Sequence, residues 1–427
     1  GSGDFDYERN GNATRVRKDG LIEELTVDDT PRLDWLNSDC PSLLLEPQRV
    51  NRQFYSEQID NAVWSKVSTT VTADQTIAPS GEYTADKVQR TSTAANYVID
   101  SASKSASTEL DITTSMFVKK GEGDFFAIRQ QGSYPNRGEV KYQFSTNTIT
   151  TSVAGNDFTV VGSSVKDYGN GWVRISATFN TDASSTVSTL FSPRATDGTV
   201  DASDTSDSAY AYVWGVQVEE GSYPTSYIKT ENGFSSRFAD ECTDAGDATI
   251  FNDAEGVLYA EISALADDGT ARNLGISDGT TSNRTLILYS PNSNELRFFL
   301  AGSGGSITVN HTLTEVTEFI KVALKYKAQD FGFYVNGVEV DTNTSNITFS
   351  GLDDLSFNNP FGGGTSNFYG NVRSVAVFKE ALTDEELAKI TSTTQQEVFY
   401  EMRDKMLQIN ADYYEFGDYT TRLKKLF

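Results

Sequence analysis

FGFYVNGVEVDT (331–342), ITFSGLDDLSFNN (347–359) and FYGNVRSVAVFKEALTDEELAKI (368–390) are the stretches whose reading decides the fold of this chain. In the first, apolar residues alternate with polar ones through Phe331, Phe333 and Val335, then resume at Val338 and Val340 beyond Asn336-Gly337. Two antiparallel strands joined by a type I′ turn are expected, because Asn-Gly supplies the two positive φ angles that this turn needs. In the third stretch Val372, Val375, Val377 and Phe378 occupy a strand. Thr383-Asp-Glu-Glu follows as a capping box, so Thr383 caps a short helix carrying Leu387 and Ile390.

Working outward, the composition favours strands. Twenty Tyr, 25 Phe and 33 Gly in 427 residues fit many short strands and turns better than long helices. Sixty acidic against 35 basic residues give a net charge of −25, which opposes nucleic acid and anionic membrane as partners. No run approaches the roughly 18 apolar residues of a membrane-spanning helix, so no membrane insertion is expected. Cys40 and Cys242 are the only cysteines, too few for a disulfide framework.

The order strand, capping box, helix resembles the end of the concanavalin A-like (laminin G-like, pentraxin-like) jelly roll. The residues carrying the resemblance are Gly370, Val372, Val375, Val377, Phe378, Ala381, Leu382, Thr383 and Glu386. That family implies recognition of glycans or proteins more than catalysis.

The chain in order suggests more than one such unit. Residues 1–50 read as an extended arm, in which ATRVRKDGLIEEL (13–25), TPRLDW (30–35) and SLLLEPQRVN (42–51) resemble a leading segment of bacteriophage tail, fibre and appendage proteins. Leu43, Leu44 and Leu45 are expected to pack on the first sandwich or on a neighbouring subunit, since an exposed cluster of this kind is a liability. Residues 51–230 show strand after strand at sandwich spacing. FYSEQIDNAVWSK (54–66) and YAYVWGVQVEEGSYPTSYIKT (210–230), which bracket them, resemble the ends of jelly-roll carbohydrate-binding modules. Residues 231–250 are polar and acidic and read as a linker between separable units; 251–392 form the concanavalin A-like sandwich. In 393–427, Phe399, Met402, Met406, Ile409, Tyr413 and Phe416 recur at steps of three and four, the seam of a self-associating helix before a basic tail. The fold class expected is all-β: two antiparallel jelly-roll sandwiches, an N-terminal arm and a C-terminal α-helix.

Catalysis finds little support in the motifs. His311 has no second imidazole to work with. The carboxylate motif E-x-D-x-x-E of sandwich glucanases is absent, and Glu295-Leu-Arg297 is only a fragment of the alginate-lyase pattern. Sugar binding needs aromatic faces beside amides, guanidinium groups or carboxylates. Tyr134, Asn136 and Arg137 in QGSYPNRG (131–138), Tyr142, and Phe361 and Tyr369 in the second unit are the candidates. Tyr97, Phe126, Arg129, Gln130 and Gln131 lie near the first group, whereas Trp64, Trp172 and Trp214 are expected as core anchors. Asp201, Asp204 and Asp207 in DGTVDASDTSD (197–207) are hard oxygen ligands of the kind calcium takes, although the D-x-D-x-D-G order is lacking.

These readings lead to a non-catalytic virion surface protein, a fibre, decoration or receptor-binding component that recognises glycans. The phage resemblance implies a homotrimer and contacts with other virion proteins through the arm or tail. The rivals are a polysaccharide-degrading enzyme and a structural spacer without ligand.

Overall fold

The computed structural model describes residues 5–36, 38–103, 110–181, 186–358 and 366–392, together with the backbone of 412–415 and 424–426. The arm carries β1 (Asp6–Glu8), β2 (Ala13–Val16), β3 (Ile22–Leu25), β4 (Leu33–Asp34), β5 (Ser42–Leu45) and β6 (Arg49–Asn51). A first sandwich follows with β7 (Ser65–Val67), β8 (Thr69–Thr76), β9 (Ala85–Arg90), β10 (Tyr97–Ser103), β11 (Leu110–Glu122) and β12 (Phe125–Gln131). It continues with β13 (Arg137–Gln143), β14 (Thr148–Ala154), β15 (Thr159–Asp167), β16 (Trp172–Thr181), β17 (Thr186–Arg194) and β18 (Tyr210–Glu220). Two short strands, β19 (Ser235–Arg237) and β20 (Glu241–Thr243), precede the second sandwich. That sandwich is built from β21 (Glu255–Ala264), β22 (Arg272–Ser277), β23 (Arg284–Tyr289), β24 (Glu295–Gly302) and β25 (Gly305–Thr312). β26 (Ile320–Lys327), β27 (Phe331–Val335), β28 (Val338–Asn343), β29 (Asp354–Ser356) and β30 (Gly370–Phe378) complete it, followed by helix α1 (Asp384–Thr391). Last come β31 (Asp412–Glu415) and β32 (Lys424–Leu426). All pairings are antiparallel, as the all-β jelly-roll class requires.

In the first sandwich the sheets run β14-β13-β12-β17-β10-β7 and β15-β16-β11-β18-β9-β8. Phe126, Ile128, Val140, Phe179, Phe191 and Val213 fill the space between them. The outer face of the second sheet is apolar too, because β18 carries an extra residue against β11 between the pairs Ser115↔Gln217 and Phe117↔Trp214. Gly215 takes φ +64° at that bulge, where an added Cβ would meet the Phe117 ring at 2.9 Å. The shift lets Ala211, Val213 and Val216 face the core while Trp214 turns outward to Trp172, Phe117 and Tyr227. Val16 and Ile22 of the β2–β3 hairpin close over this aromatic layer. Trp64, Trp172 and Trp214 are therefore buried anchors, as expected.

In the second sandwich β28-β27-β26-β21-β30 faces β25-β24-β23-β22-β29. Asn336 and Gly337 adopt φ +49° and +86° between the paired Val335 and Val338, the turn anticipated from Asn-Gly. Val372 and Val375, three apart, both reach the core because Arg373 is an extra residue between the pairs Val372↔Ile262 and Ser374↔Glu261. The capping box forms at Thr383, and α1 lays Leu387 and Ile390 on the outer face of this sheet.

Three expectations need correction. Leu43 and Leu45 do not pack on the first sandwich. β5 pairs with Gly370–Val372 of β30, and Leu43 and Leu45 enter the core of the second sandwich. The stretch 231–250 is not a free tether: β19 pairs with β6, β20 with β1, and Cys242 and Ala245 join that same core. Its acidity misled because Asp240 is buried against Arg32, while Glu231, Glu241 and Asp244 stay exposed. Finally, the helix proposed along 395–416 falls mainly outside the described residues, but at 412–415 the chain pairs as β31 with Ser374–Val377, so Tyr413 lies on a strand. The free edge of β30 captures the segment there.

A charged cluster joins these parts. Arg32 bridges Glu46, at 2.6 Å, and Asp240, while Arg237 reaches Glu46 at 2.9 Å. Ser226 donates its N–H and its hydroxyl to Glu46, each at 2.7 Å, and the Glu46 N–H donates to Asp240 at 2.8 Å. Arg9 and Tyr7 close on Asp240 from the other side. All five charged side chains are almost wholly buried. Burial pushes the Glu46 carboxyl up, but Arg237 and Arg32 outweigh it and hold the group well below the usual carboxylate range. A depressed pKa contributes stability that is complete above the unfolded-state value and is lost as pH falls through the folded one. Glu46→Gln should therefore cost about 3–5 kcal/mol near neutral pH, the usual consequence of orphaning a buried ion. Urea midpoints measured on acidification should show the gap to the parent protein narrowing; a constant gap would mean that charge at Glu46 is not what stabilises.

Candidate glycan-binding face

The sheet β14-β13-β12-β17-β10 has no arm across its outer face, and strand alternation decides what it presents. Along β12, Phe126, Ile128 and Gln130 point inward. Ala127, Arg129 and Gln131 therefore point outward. Gln130 is spent inside, its amide donating to the carbonyl of Ile112 and the hydroxyl of Thr114, both at 3.0 Å. Along β13, Val140 and Tyr142 are buried, so Arg137, Glu139 and Lys141 face out. Gly138 between them sits over Phe179, whose ring an added Cβ would meet at 2.6 Å.

Arg129 lies opposite Glu139 in the register and pairs with it. It also makes a bidentate bridge to Asp201 at 2.7 and 3.0 Å. Arg137 approaches Glu139 at 3.5 Å, and Lys141 holds Asp197 at 2.8 Å. These bridges draw the loop after β17 across the sheet, where Val200 seats on Ala127 and Leu190 beside Tyr97 and Ile99. The two carboxylates differ in setting. Hydrogen bonds from Arg129 hold the Asp201 carboxyl below its ordinary value, whereas burial raises Glu139.

At the end of this face the turn between β12 and β13 is built on Asn136. Its backbone N–H donates to the Ser133 carbonyl at 2.8 Å, and its amide nitrogen donates to Asp157 at 2.6 Å. Gln131 donates to the Asn136 carbonyl at 2.9 Å. Held by this network, Tyr134 stands 86% exposed at the rim. A rigid exposed ring beside guanidinium and amide groups suits a pyranose, which offers C–H groups to the ring and hydroxyls to the polar atoms.

The sequence candidates divide accordingly. Tyr134, Asn136 and Arg137 come together here, with Gln131 and Arg129, whereas Tyr97 packs farther along the face with Ala127, Leu190 and Val200. Tyr142 does not: it is 2% exposed in the core, its hydroxyl donating to Asn147 at 2.8 Å, because β13 begins at Arg137 and the alternation turns Tyr142 inward. Phe126 and Trp172 are buried likewise. Tyr369 belongs to the second sandwich, half-buried with Asn367 donating to its hydroxyl at 3.2 Å, and Phe361 lies outside the described residues.

The calcium candidates do not converge. Asp201 is bound to Arg129, Asp204 accepts from the N–H groups of Ala195 and Thr205 at 2.8 and 2.7 Å, and Asp207 is exposed. Among the described residues no three His, Cys, Asp or Glu side chains could hold a metal ion. Glu139 escaped notice in the sequence. The period-two pattern Arg137, Glu139, Lys141 against Val140 and Tyr142 was the available signal.

Residues 258–388, from β21 into α1, match the family model of the concanavalin A-like lectin/glucanases superfamily (Laminin_G_3). No curated protein matches the chain. Among solved structures, domains LG4-5 of the mouse laminin alpha1 chain are similar at 10% identity, over 70% of this chain and 88% of that one, with a TM-score of 0.24. The CBM22-1-CBM22-2 tandem domain of Paenibacillus barcinonensis Xyn10C is similar at 10% identity, over 78% and 98%, with a TM-score of 0.26. The LG1-3 region of the laminin alpha2 chain gives 11%, 68% and 62%, and 0.19.

Asp201→Asn should release the loop that lies over the sheet. Amide exchange across 196–205 is expected to accelerate while β12 stays protected, with a stability loss of about 1 kcal/mol, because Asp201 is itself exposed and the buried Arg129 keeps Glu139.

Proposed function

We propose that this chain is a non-catalytic glycan-binding protein whose first sandwich takes saccharide on the face carrying Arg129, Gln131, Arg137 and Glu139, with Tyr134 as the stacking ring. The observation that carries this reading is the exposed Tyr134, held by the Asn136 turn at the end of an outward row of guanidinium, amide and carboxylate groups. The match of 258–388 to a lectin and glucanase superfamily adds support from the second sandwich.

An enzyme is the reading to set against it, since Glu139 and Asp201 are two carboxylates with pKa values pushed apart. Their geometry speaks for binding. One Glu139 oxygen is taken by Arg129, and the carboxylate is almost wholly buried. Screening on a glycan array beside a reducing-sugar assay separates the two. Retention without turnover is expected, and Tyr134→Ala should weaken it about tenfold, near 1.4 kcal/mol. Turnover, or retention indifferent to Tyr134, would sink the proposal.

The setting we propose is a virion surface, resting on the resemblance of the arm and the bracketing segments to bacteriophage proteins. There the arm or the C-terminal tail would contact other virion proteins. Self-association through Phe399, Met402, Met406 and Ile409 belongs to the same proposal, with a trimer as the expected state. Light scattering of a Met402→Glu, Met406→Glu variant tests it: the parent should have the mass of three chains and the variant of one. A monomeric parent would end this part of the reading.

A further inference from the structure

Two cations face each other on adjacent strands of one sheet of the first sandwich. In the register of β15 against β16, Lys166 lies directly opposite Arg174, and like charges so placed destabilise a sheet. Two residues along, Ser164 faces Ser176 and their hydroxyls bond at 2.7 Å. These four side chains line a cleft of about 610 Å³ between the arm, the first sandwich and the second. The size is that of sites for small ligands.

The donors outnumber what the protein supplies. Arg174 is 5% exposed; it donates to the Thr225 carbonyl at 2.7 Å and to the Ser115 hydroxyl at 2.9 Å, and its Nε has no hydrogen-bond partner. Lys166 is exposed at the cleft and makes no hydrogen bond or ion pair with a described residue. Arg373 lines the opposite wall. It is the extra residue of the β30 bulge, stacks on Phe319 at 3.7 Å, pairs with Glu261 at 3.2 Å, and keeps a buried Nε without a partner. Bulges commonly re-aim a side chain into a site.

The carboxylates that line the cleft are committed elsewhere, with one exception. Asp34 accepts from the N–H groups of Val16 and Leu36 at 2.8 and 2.9 Å, Glu46 belongs to the buried cluster, and Asp167 accepts from the Gly169 N–H at 2.7 Å. The exception is Glu318, which is exposed. Between the cations the walls carry Ser38, Ser42, Ser263, Thr317 and Asn371, groups that match a polyhydroxy ligand better than an apolar or peptide one.

We propose that this cleft is a second binding site, separate from the open sheet face, that takes an acidic sugar by placing its carboxylate or sulfate between Lys166, Arg174 and Arg373. The net charge of −25 makes long polyanions poor visitors, so a short acidic oligosaccharide is the class expected.

The test is calorimetric titration of the full chain with an oligoglucuronate trisaccharide, a neutral glucose trisaccharide and sodium sulfate. The acidic trisaccharide should bind at least about tenfold more tightly than the neutral one, and more tightly than free sulfate. Lys166→Gln should weaken it by about tenfold and Lys166→Arg should restore it, whereas Tyr134→Ala on the sheet face should leave it unchanged. Because Lys166 is not in the core, Lys166→Gln should fold, and relief of the like-charge pair should raise its melting temperature. Any of four results would overturn the proposal: no binding of the acidic trisaccharide at millimolar concentration, equal affinity for the neutral one, indifference to Lys166→Gln, or an acidic hexapeptide binding as tightly.

Discussion

The ion cluster of Arg32, Glu46, Arg237 and Asp240 is the constraint on which the rest of the molecule depends. A single ion in such a place would cost several kcal/mol, so each charge requires its partners to be present. Those partners come from distant parts of the chain: Arg32 and Glu46 from the arm, Ser226 from the segment after β18, and Arg237 and Asp240 from the segment before β20. None of these segments can leave without orphaning the others. This is why the arm and the acidic stretch 231–250 behave as structure, and why β5 is delivered to the edge of β30 with Leu43 and Leu45 aimed at the second core.

Anchoring the arm decides which face of the first sandwich remains open. The β18 bulge at Gly215 makes the outer face of its sheet aromatic, and Val16 and Ile22 cover it. Among the described residues nothing comparable crosses the other sheet except the loop tied by Arg129 to Asp201, and that face alternates charged and small residues. An apolar face obliges the chain to cover it, whereas a polar face can stay in water. The division between a structural face and a binding face thus follows from one shift of register.

Much of the fold was legible because its signals are local. Asn336-Gly337 needs only two positive φ angles, and the Thr383 capping box needs only four residues. The sandwich strands announced themselves by period two. What could not be read is what depends on bulges and on long-range pairing. Val372 and Val375 share a face only because Arg373 is squeezed out, and Trp214 leaves the core only because Gly215 is inserted. Tyr142 is named as a sugar platform in sequence although it shares the phase of Val140, which turns both inward and brings Glu139 out. Glu231, Asp240, Glu241, Asp244 and Asp247 give 231–250 an acidic, solvent-like composition, and no pattern in sequence distinguishes the paired buried Asp240 from its exposed neighbours.

The same bulges also place chemistry. Arg373 is expelled from the β30 ladder toward the cleft where Lys166 and Arg174 already stand opposed. A chain with 60 acidic residues has no shortage of counter-ions, so leaving Lys166 and Arg174 opposed without an ion pair, beside Arg373, is not forced by composition. Over a Debye length of about 8 Å at physiological salt the remote carboxylates are screened, and the field inside a low-dielectric cleft is set by its own walls. A site of this kind discriminates in two stages. The acidic exterior turns away extended polyanions, and the basic interior rewards a single anionic group small enough to enter.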